Sequence, residues 1–89
     1  MDFPVIDPTA TGRNIVRLRK ARGLTVKDLQ VYFGFEEHRA IYKWQRGETL
    51  PSVDNLYALS RILQVPMDSI LIPRQLHLLA SEQQDDSSC

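Results

Sequence analysis

The chain has 89 residues, with 11 basic and 11 acidic side chains and a formal net charge of zero at pH 7. This length allows one domain with a core of short helices, and no apolar run approaches the roughly 18 residues of a membrane-spanning helix. The start of the chain lacks the pattern of a secretory signal, and the single cysteine, Cys89, has no partner for an internal disulfide. We therefore expect a cytoplasmic protein.

The charges are unevenly distributed along the chain. Residues 11–50 carry nine basic and four acidic side chains, whereas the rest of the chain carries two basic and seven acidic ones. Attraction to the phosphates of a nucleic acid depends on the local field rather than on the charge of the whole chain. The distribution is compatible with nucleic-acid binding through residues 11–50, although a solvated helix face gives a similar pattern.

Residues 1–7 form an apolar N-terminal arm in which Pro4 prevents an early helix. A loose tail is one interpretation of this arm. Its side chains Phe3, Val5 and Ile6 are apolar, which favours the other interpretation, an extended edge strand that pairs with a late part of the chain.

The first predicted helix covers residues 8–22. Asp7 and the proline that follows it are residue types preferred at the N-cap and at the first helical position. Ile15 and Leu18 lie three residues apart and would face the core. Gly23 is of the type that ends a helix.

The second predicted helix begins at Thr25, which is a suitable N-cap. Asp28, three residues later, completes a capping box with it. Leu29 and Phe33 lie one turn apart and would face inward. Gly34 then follows, where a helix end favours a left-handed residue.

The third predicted helix contains Ile41 and Trp44, which face the core, and ends at Gly47. Glu36 or Glu37 is expected to cap or begin it, because acidic residues suit a helix N-terminus. Two helices of about nine residues joined by a glycine turn form a unit that places its second helix in the major groove of DNA.

The fourth predicted helix has Ser52 as its N-cap and is followed by Gln64, where a left-handed conformation would have a modest energetic cost. Its predicted apolar face consists of Val53, Leu56, Leu59, Ile62 and Leu63. A short fifth helix would begin at Pro66 and end at Pro73. Its predicted inward residues are Met67, Ile70 and Leu71.

The C-terminal part of the sequence divides into an apolar extension over residues 74–80 and a polar, acidic tail over residues 81–89. Leu76, Leu78 and Leu79 exceed what a monomer core needs, so they would pack on the N-terminal arm or form the seam of a dimer. The composition of residues 81–89 predicts disorder.

The order and spacing of these residues from about Thr11 to Ile72 resemble the helix-turn-helix family of phage repressors, Cro proteins and their bacterial relatives, the XRE type. The resemblance rests on Ile15, Leu18, Arg19, Gly23, Leu24, Thr25, Leu29, Gly34, Ile41, Arg46, Gly47, Pro51, Ser52, Leu56, Leu59, Leu63 and residues 65–71. It implies an all-α fold, a compact five-helix repressor-like bundle with the helix-turn-helix at helices 2 and 3. The domain would cover residues 8–73.

The sequence departs from the family pattern at several places, three of which affect the helix-turn-helix directly. In relatives an arginine at the position of Arg19 pairs with a glutamate, but the matching residue here is Gln45, so we expect a neutral hydrogen bond. Gln30 stands where relatives have a small alanine. The turn before the third helix also contains one additional residue, between Phe35 and Ala40.

The resemblance also implies a DNA-reading surface on the third helix. The residues at the family's base-reading positions are His38, Arg39 and Lys43. Arginine can donate two hydrogen bonds to guanine, which discriminate by about 1–3 kcal/mol, whereas a single exposed histidine is more often without a role. The residues expected to contact the DNA backbone are Thr25, Lys27, Tyr42, Arg46 and Thr49.

The leading functional hypothesis is sequence-specific binding of double-stranded DNA by a homodimeric transcriptional regulator, in particular a repressor at a palindromic operator. The rival hypothesis is a protein-interaction module, such as an antitoxin that masks a partner protein. The residues that favour the rival are Gln30, Val31, Tyr32, Glu36 and Glu37. The two interpretations use different surfaces of the same predicted fold.

We do not expect an enzyme. His38 and His77 lie in different predicted elements, and the sequence has no cysteine and histidine spacing typical of zinc sites. It also lacks a glycine-rich phosphate loop. The sequence therefore predicts no metal and no cofactor.

Overall fold

The computed structural model describes residues 4–74 and contains five helices in that range. These are α1 (Pro8–Ala21), α2 (Val26–Phe33), α3 (Arg39–Arg46), α4 (Val53–Leu63) and α5 (Met67–Ile70). The predicted all-α class and the five-helix bundle are confirmed. The expectations for Leu76, Leu78 and Leu79, for the acidic tail over residues 81–89 and for Cys89 lie outside the described residues.

Three of the five helices, α1, α2 and α4, begin where a side chain accepts from a free N–H group of the first turn. Asp7 Oδ1 accepts from the backbone N–H of Ala10 at 3.1 Å, and Ser52 Oγ accepts from that of Asn55 at 3.2 Å. Such caps stabilise a helix by about 0.5–2 kcal/mol each, because the first turn has no intrahelical partner for these donors. The predicted caps of α1 and α4 are both confirmed.

Left-handed residues end three of the helices. Gly34 after α2 has φ 74° and Gly47 after α3 has φ 78°. Gln64 after α4 adopts φ 58°, as the sequence allowed. A side chain in this conformation costs about 1–2 kcal/mol relative to glycine, so the bond from its backbone N–H to the carbonyl of Ser60 offsets a real strain.

The core lies where α1, α2, α3, α4 and α5 meet. Its buried apolar side chains are Ile15, Leu29, Ile41, Trp44, Leu59, Leu63 and Ile70. The predicted inward position of Met67 is wrong, because this residue is 37 % exposed. Val53, on the predicted apolar face of α4, is 77 % exposed and does not contribute to the core. Each is the first residue of its helix, where a side chain leans back toward the N-terminus and away from the helix body.

Gly12 of α1 lies directly against the backbone at the end of α3. A methyl group on Gly12 would lie 2.4 Å from the carbonyl oxygen of Trp44 and 2.5 Å from that of Gln45. Only glycine fits such a contact, since these are backbone atoms that cannot rotate away. The contact sets the distance between α3 and the rest of the bundle.

The described part of the N-terminal arm is extended and pairs with the chain after α5. Ile6 and Pro73 form an antiparallel bridge. The N–H of Asp7 donates to the carbonyl of Ile72 at 2.8 Å, and the N–H of Arg74 donates to that of Val5 at 2.6 Å. The two ends of the folded unit are therefore fastened side by side.

Two buried polar side chains of α1 hold the end of α5. Asn14 Nδ2 donates to the carbonyls of Ser69 at 2.7 Å and Ile70 at 3.1 Å. Thr11 Oγ1 accepts from the N–H of Ile72 at 2.9 Å. The Asn14 bonds satisfy carbonyls that a short helix leaves free at its C-terminus, and the Thr11 bond satisfies a backbone N–H just after it. Neither bond was predicted from the sequence, because polar residues on a helix usually face solvent.

Candidate nucleic-acid interface

Helix α3 has one buried side and one side open to solvent. Ile41 is completely buried and Trp44 is 4 % exposed. The opposite side carries four side chains spaced by three or four residues, which places them along one edge of the helix. They are Arg39, Tyr42, Lys43 and Arg46. Lys43 is half-buried, whereas the other three are exposed.

His38 lies immediately before this edge, as the N-cap of α3. Its side chain makes no capping hydrogen bond, and its ring meets that of Tyr42 edge-on, with centroids 4.9 Å apart. The expectation that Glu36 or Glu37 caps or begins the helix is wrong. Residues 36–38 form bends before the helix starts. The turn contains one additional residue, and the first hydrogen bond of α3 runs from the N–H of Tyr42 to the carbonyl of His38.

The lengthened turn is held by Gln30. Its Nε2 donates to the carbonyls of Phe35 at 3.3 Å and Glu36 at 3.2 Å. Two departures from the family pattern, the glutamine in α2 and the additional residue, are therefore parts of one arrangement. The occurrence of both departures in one sequence could have indicated that Gln30 holds the longer turn, but each was interpreted separately.

An aromatic cluster supports the underside of α3. The rings of Phe33 and Phe35 are stacked with centroids 5.1 Å apart. Both meet the Trp44 ring nearly edge-on, at 5.5 and 6.0 Å. Such pairs contribute about 0.5–1.5 kcal/mol each beyond area burial. Trp44 is thus a core residue, as predicted, and it fixes the rotation of α3 about its axis.

Arg19 fastens α1 to the C-terminal end of α3. Its Nε donates to Gln45 Oε1 at 3.1 Å, and its Nη1 donates to the carbonyl of Leu24 at 2.8 Å. The predicted neutral hydrogen bond in place of an ion pair is confirmed. The guanidinium also finds a second acceptor in the backbone, which compensates for the missing charge.

Both arginines of the exposed edge are paired with carboxylates. Arg39 Nη2 lies 3.5 Å from Glu37 Oε1. Arg46 Nε donates to Glu48 Oε2. This hydrogen bond holds the pKa of the Glu48 carboxyl below its ordinary value and raises the pKa of the Arg46 guanidinium. Neither ion pair was predicted from the sequence.

The sequence matches the model of a known family. A family model described as helix-turn-helix, the XRE type, covers residues 15–70 of the chain. The chain belongs to this helix-turn-helix family.

Solved structures of helix-turn-helix proteins show the same fold. The restriction-modification controller protein C.AhdI from Aeromonas hydrophila is 23 % identical, with a TM-score of 0.65 over 72 % of this chain and 96 % of that chain. The DNA-binding domain of BldD is 19 % identical, with a TM-score of 0.64 over 74 % of this chain and 94 % of that chain. The BldD DNA-binding domain of S. venezulae gives the same identity and TM-score. No curated protein gave a match.

The helix-turn-helix presents its predicted backbone-contacting residues around α3. Lys27 is exposed in the first turn of α2, and Thr49 is exposed in the loop after α3. Thr25 caps α2 through a complete capping box, in which its N–H donates to Asp28 Oδ2 at 2.8 Å and its Oγ1 accepts from the N–H of Asp28 at 3.0 Å. The backbone N–H of Thr25 therefore already has an acceptor within the protein.

Within residues 4–74, no group of three or more histidine, cysteine or acidic side chains is arranged to hold a metal ion. None of the helices in that range has the length and apolar character needed to cross a membrane.

Proposed function

We propose that this protein binds double-stranded DNA in a sequence-specific manner by placing α3 in the major groove. The observation that carries the proposal is the exposed edge of α3, with Arg39, Tyr42, Lys43 and Arg46 along one side and a rigid aromatic cluster behind it. A helix of this width fits the major groove, and arginine and lysine donate to guanine O6 and N7. His38, Arg39 and Lys43 are the proposed base-reading residues.

The DNA backbone would be held by the residues around this edge. Thr25, Lys27, Tyr42, Arg46 and Thr49 are the proposed contacts to phosphate and sugar. The backbone N–H of Thr25 already donates to Asp28 within the capping box. A contact from Thr25 to phosphate would therefore be donated by its hydroxyl group. The N–H groups of the first turn of α2 and the positive end of its dipole favour a phosphate nearby.

We further propose that the protein acts as a homodimeric transcriptional regulator, in particular a repressor. The family membership supports a regulator, and C.AhdI, which shares the fold, is described as a controller protein. A two-fold dimer would place two α3 helices about 34 Å apart on a palindromic operator.

A protein-interaction module remains the second candidate, because α2 exposes apolar side chains. Val31 is 68 % exposed and Tyr32 is 47 % exposed on this helix. Exposed apolar neighbours can mark a contact with another protein. An antitoxin that masks a partner protein would use such a surface and would not need base-specific DNA contacts.

Selection from a pool of random duplexes tests the proposal. We expect the purified protein to enrich a palindromic site with half-site centres about one DNA turn apart. The selected duplex should then bind more tightly than a scrambled duplex of the same composition, by about 10³-fold or more. A protein that binds no duplex even at about 50 mM salt would contradict the proposal and favour the interaction module.

A further inference from the structure

An acidic side chain lies beside the arginine at each end of α3. Glu37, just before the helix, lies 3.5 Å from the Arg39 guanidinium. Glu48, just after it, accepts a hydrogen bond from Arg46. The four side chains are between 49 % and 72 % exposed. Neither pair is part of the core, so packing of the fold does not explain why they occur on this edge.

A carboxylate is the same kind of hydrogen-bond acceptor for an arginine as a DNA phosphate. Both carboxylate and phosphate present two anionic oxygens that accept charge-assisted hydrogen bonds from the guanidinium. An arginine bound to a neighbouring carboxylate has to leave it before the same donors reach a base edge or a phosphate. In the free protein the two carboxylates hold these guanidinium groups, so the carboxylates and DNA compete for the same donors.

We propose that Glu37 and Glu48 set the DNA affinity of this protein by competing with DNA for Arg39 and Arg46. This inference rests on the proposed DNA-binding function. At each end of α3, binding exchanges an intramolecular carboxylate for an acceptor on DNA. The exchange leaves the fold unchanged, and the two carboxylates lower affinity independently because they act on different arginines.

Glu36 provides a matched control. It is exposed and directly precedes Glu37 in the same turn, yet within residues 4–74 it forms no ion pair. A general effect of acidic charge near DNA would therefore appear equally at Glu36 and Glu37. Competition for an arginine would appear at Glu37 alone.

The test measures fluorescence anisotropy on a labelled duplex of about 24 bp obtained by selection, and on a scrambled duplex. Exposed ion pairs are weak, so Glu37→Gln and Glu48→Gln should each tighten binding about two- to fivefold. The double variant should tighten binding by about the product of the two, roughly tenfold. Glu36→Gln should change affinity by less than about 1.5-fold.

A double-mutant cycle separates competition from charge. In an Arg39→Ala background, Glu37→Gln should give no gain in affinity, because the arginine it competes for is gone. Glu48→Gln should likewise give no gain in an Arg46→Ala background. Thermal melting by circular dichroism should show that each variant keeps the melting temperature of its parent.

Three results would overturn this inference. They are an equal gain from Glu36→Gln, a gain that persists without the arginine, and no gain from either Glu37→Gln or Glu48→Gln in a protein that binds DNA. The third result would leave the proposed function intact. A wild-type protein that binds neither duplex at about 50 mM salt would instead refute the proposed function and this inference together.

Discussion

Arg39 and Arg46 stand at opposite ends of α3, and we expect their substitutions to have different effects. Arg39→Ala should lose about 1–3 kcal/mol on the selected duplex and much less on a scrambled one, because it removes a bidentate contact to a base. Arg46→Ala should weaken binding to both duplexes alike and reduce the slope of log K against log salt by about one per bound protomer, because it removes a phosphate contact from each. Titrations of both duplexes at several salt concentrations measure these quantities. Equal losses on every sequence for Arg39→Ala would show that it does not read a base.

Gly12 offers a test of the contact that positions α3. Gly12→Ala should lower the free energy of unfolding by about 1–3 kcal/mol, because the new methyl group meets the carbonyl oxygens of Trp44 and Gln45. Alanine otherwise favours a helix by about 1 kcal/mol over glycine, so a loss cannot come from helix propensity. Arg13→Ala, at the exposed neighbouring position, is the control and should change stability by less than about 0.5 kcal/mol. Urea unfolding measures both variants, and a stabilised Gly12→Ala protein would disprove the close crossing.

Single residues that depend on a distant backbone were the hardest to predict from the sequence. Gly12 lies inside α1 with no turn or positive φ to explain it, and its reason is the backbone at the end of α3. Asn14 has its partners after residue 68, far along the chain. Arg19 was predictable because the family resemblance supplied Gln45 as its partner.

At the scale of the helix, the capping box of α2 makes stability depend on pH. The backbone N–H of Thr25, and after it the Thr25 side chain, lower the pKa of Asp28 below its ordinary value of 3.8. A carboxyl whose pKa is lowered by folding stabilises the protein above its unfolded pKa, and this contribution is lost as the pH falls through the folded pKa. Stability should therefore decrease as the pH falls below about 4.

Asp28→Asn isolates this contribution. The variant cannot ionise at this position, so its stability should decrease less steeply than that of the wild type over the same acidic range. It should also be less stable than the wild type at pH 7, where the capping carboxylate is charged. Urea unfolding at a series of pH values measures both effects. Parallel pH profiles for the two proteins would show that Asp28 gains nothing from its hydrogen bonds.

Helix positions followed from local signals in the sequence, whereas the limits of the core did not. Thr25, Ser52 and Gly34 mark ends that hydrogen bonds and backbone sterics fix within a few residues, and the structure has them there. The periodic pattern that placed Val53 on the apolar face of α4 shows only which side of a helix is apolar. It does not record how far neighbouring helices extend to cover that face.

The start of α3 was unpredictable for a different reason. The turn before it has one residue more than the family spacing, and acidic residues in it resembled a helix start. An earlier helix start is opposed by two hydrogen bonds from Gln30 to the turn carbonyls of Phe35 and Glu36. These bonds require the turn to stay open until His38, and they join residues that local propensity treats separately.

At the scale of the whole molecule, the net charge is zero but the basic and acidic side chains lie in different parts of the sequence. Nine of the 11 basic side chains lie within residues 11–50, which contain α2 and α3. We therefore expect the affinity for DNA to fall steeply between about 50 and 200 mM salt, by about 10³-fold or more if a dimer makes six to ten phosphate contacts. Titrations over this range measure the slope. An affinity independent of salt would mean that phosphates contribute little and that the charge division has another role.

The pairing of Ile6 with Pro73 has a topological consequence. The polypeptide enters and leaves the folded unit at neighbouring points, with Val5 and Arg74 joined by a hydrogen bond. A short peptide linker between these points would close the polypeptide into a ring without moving a helix. New termini could then be opened in a surface loop, such as the one between Gly47 and Ser52, and the same helices would be connected in a different order.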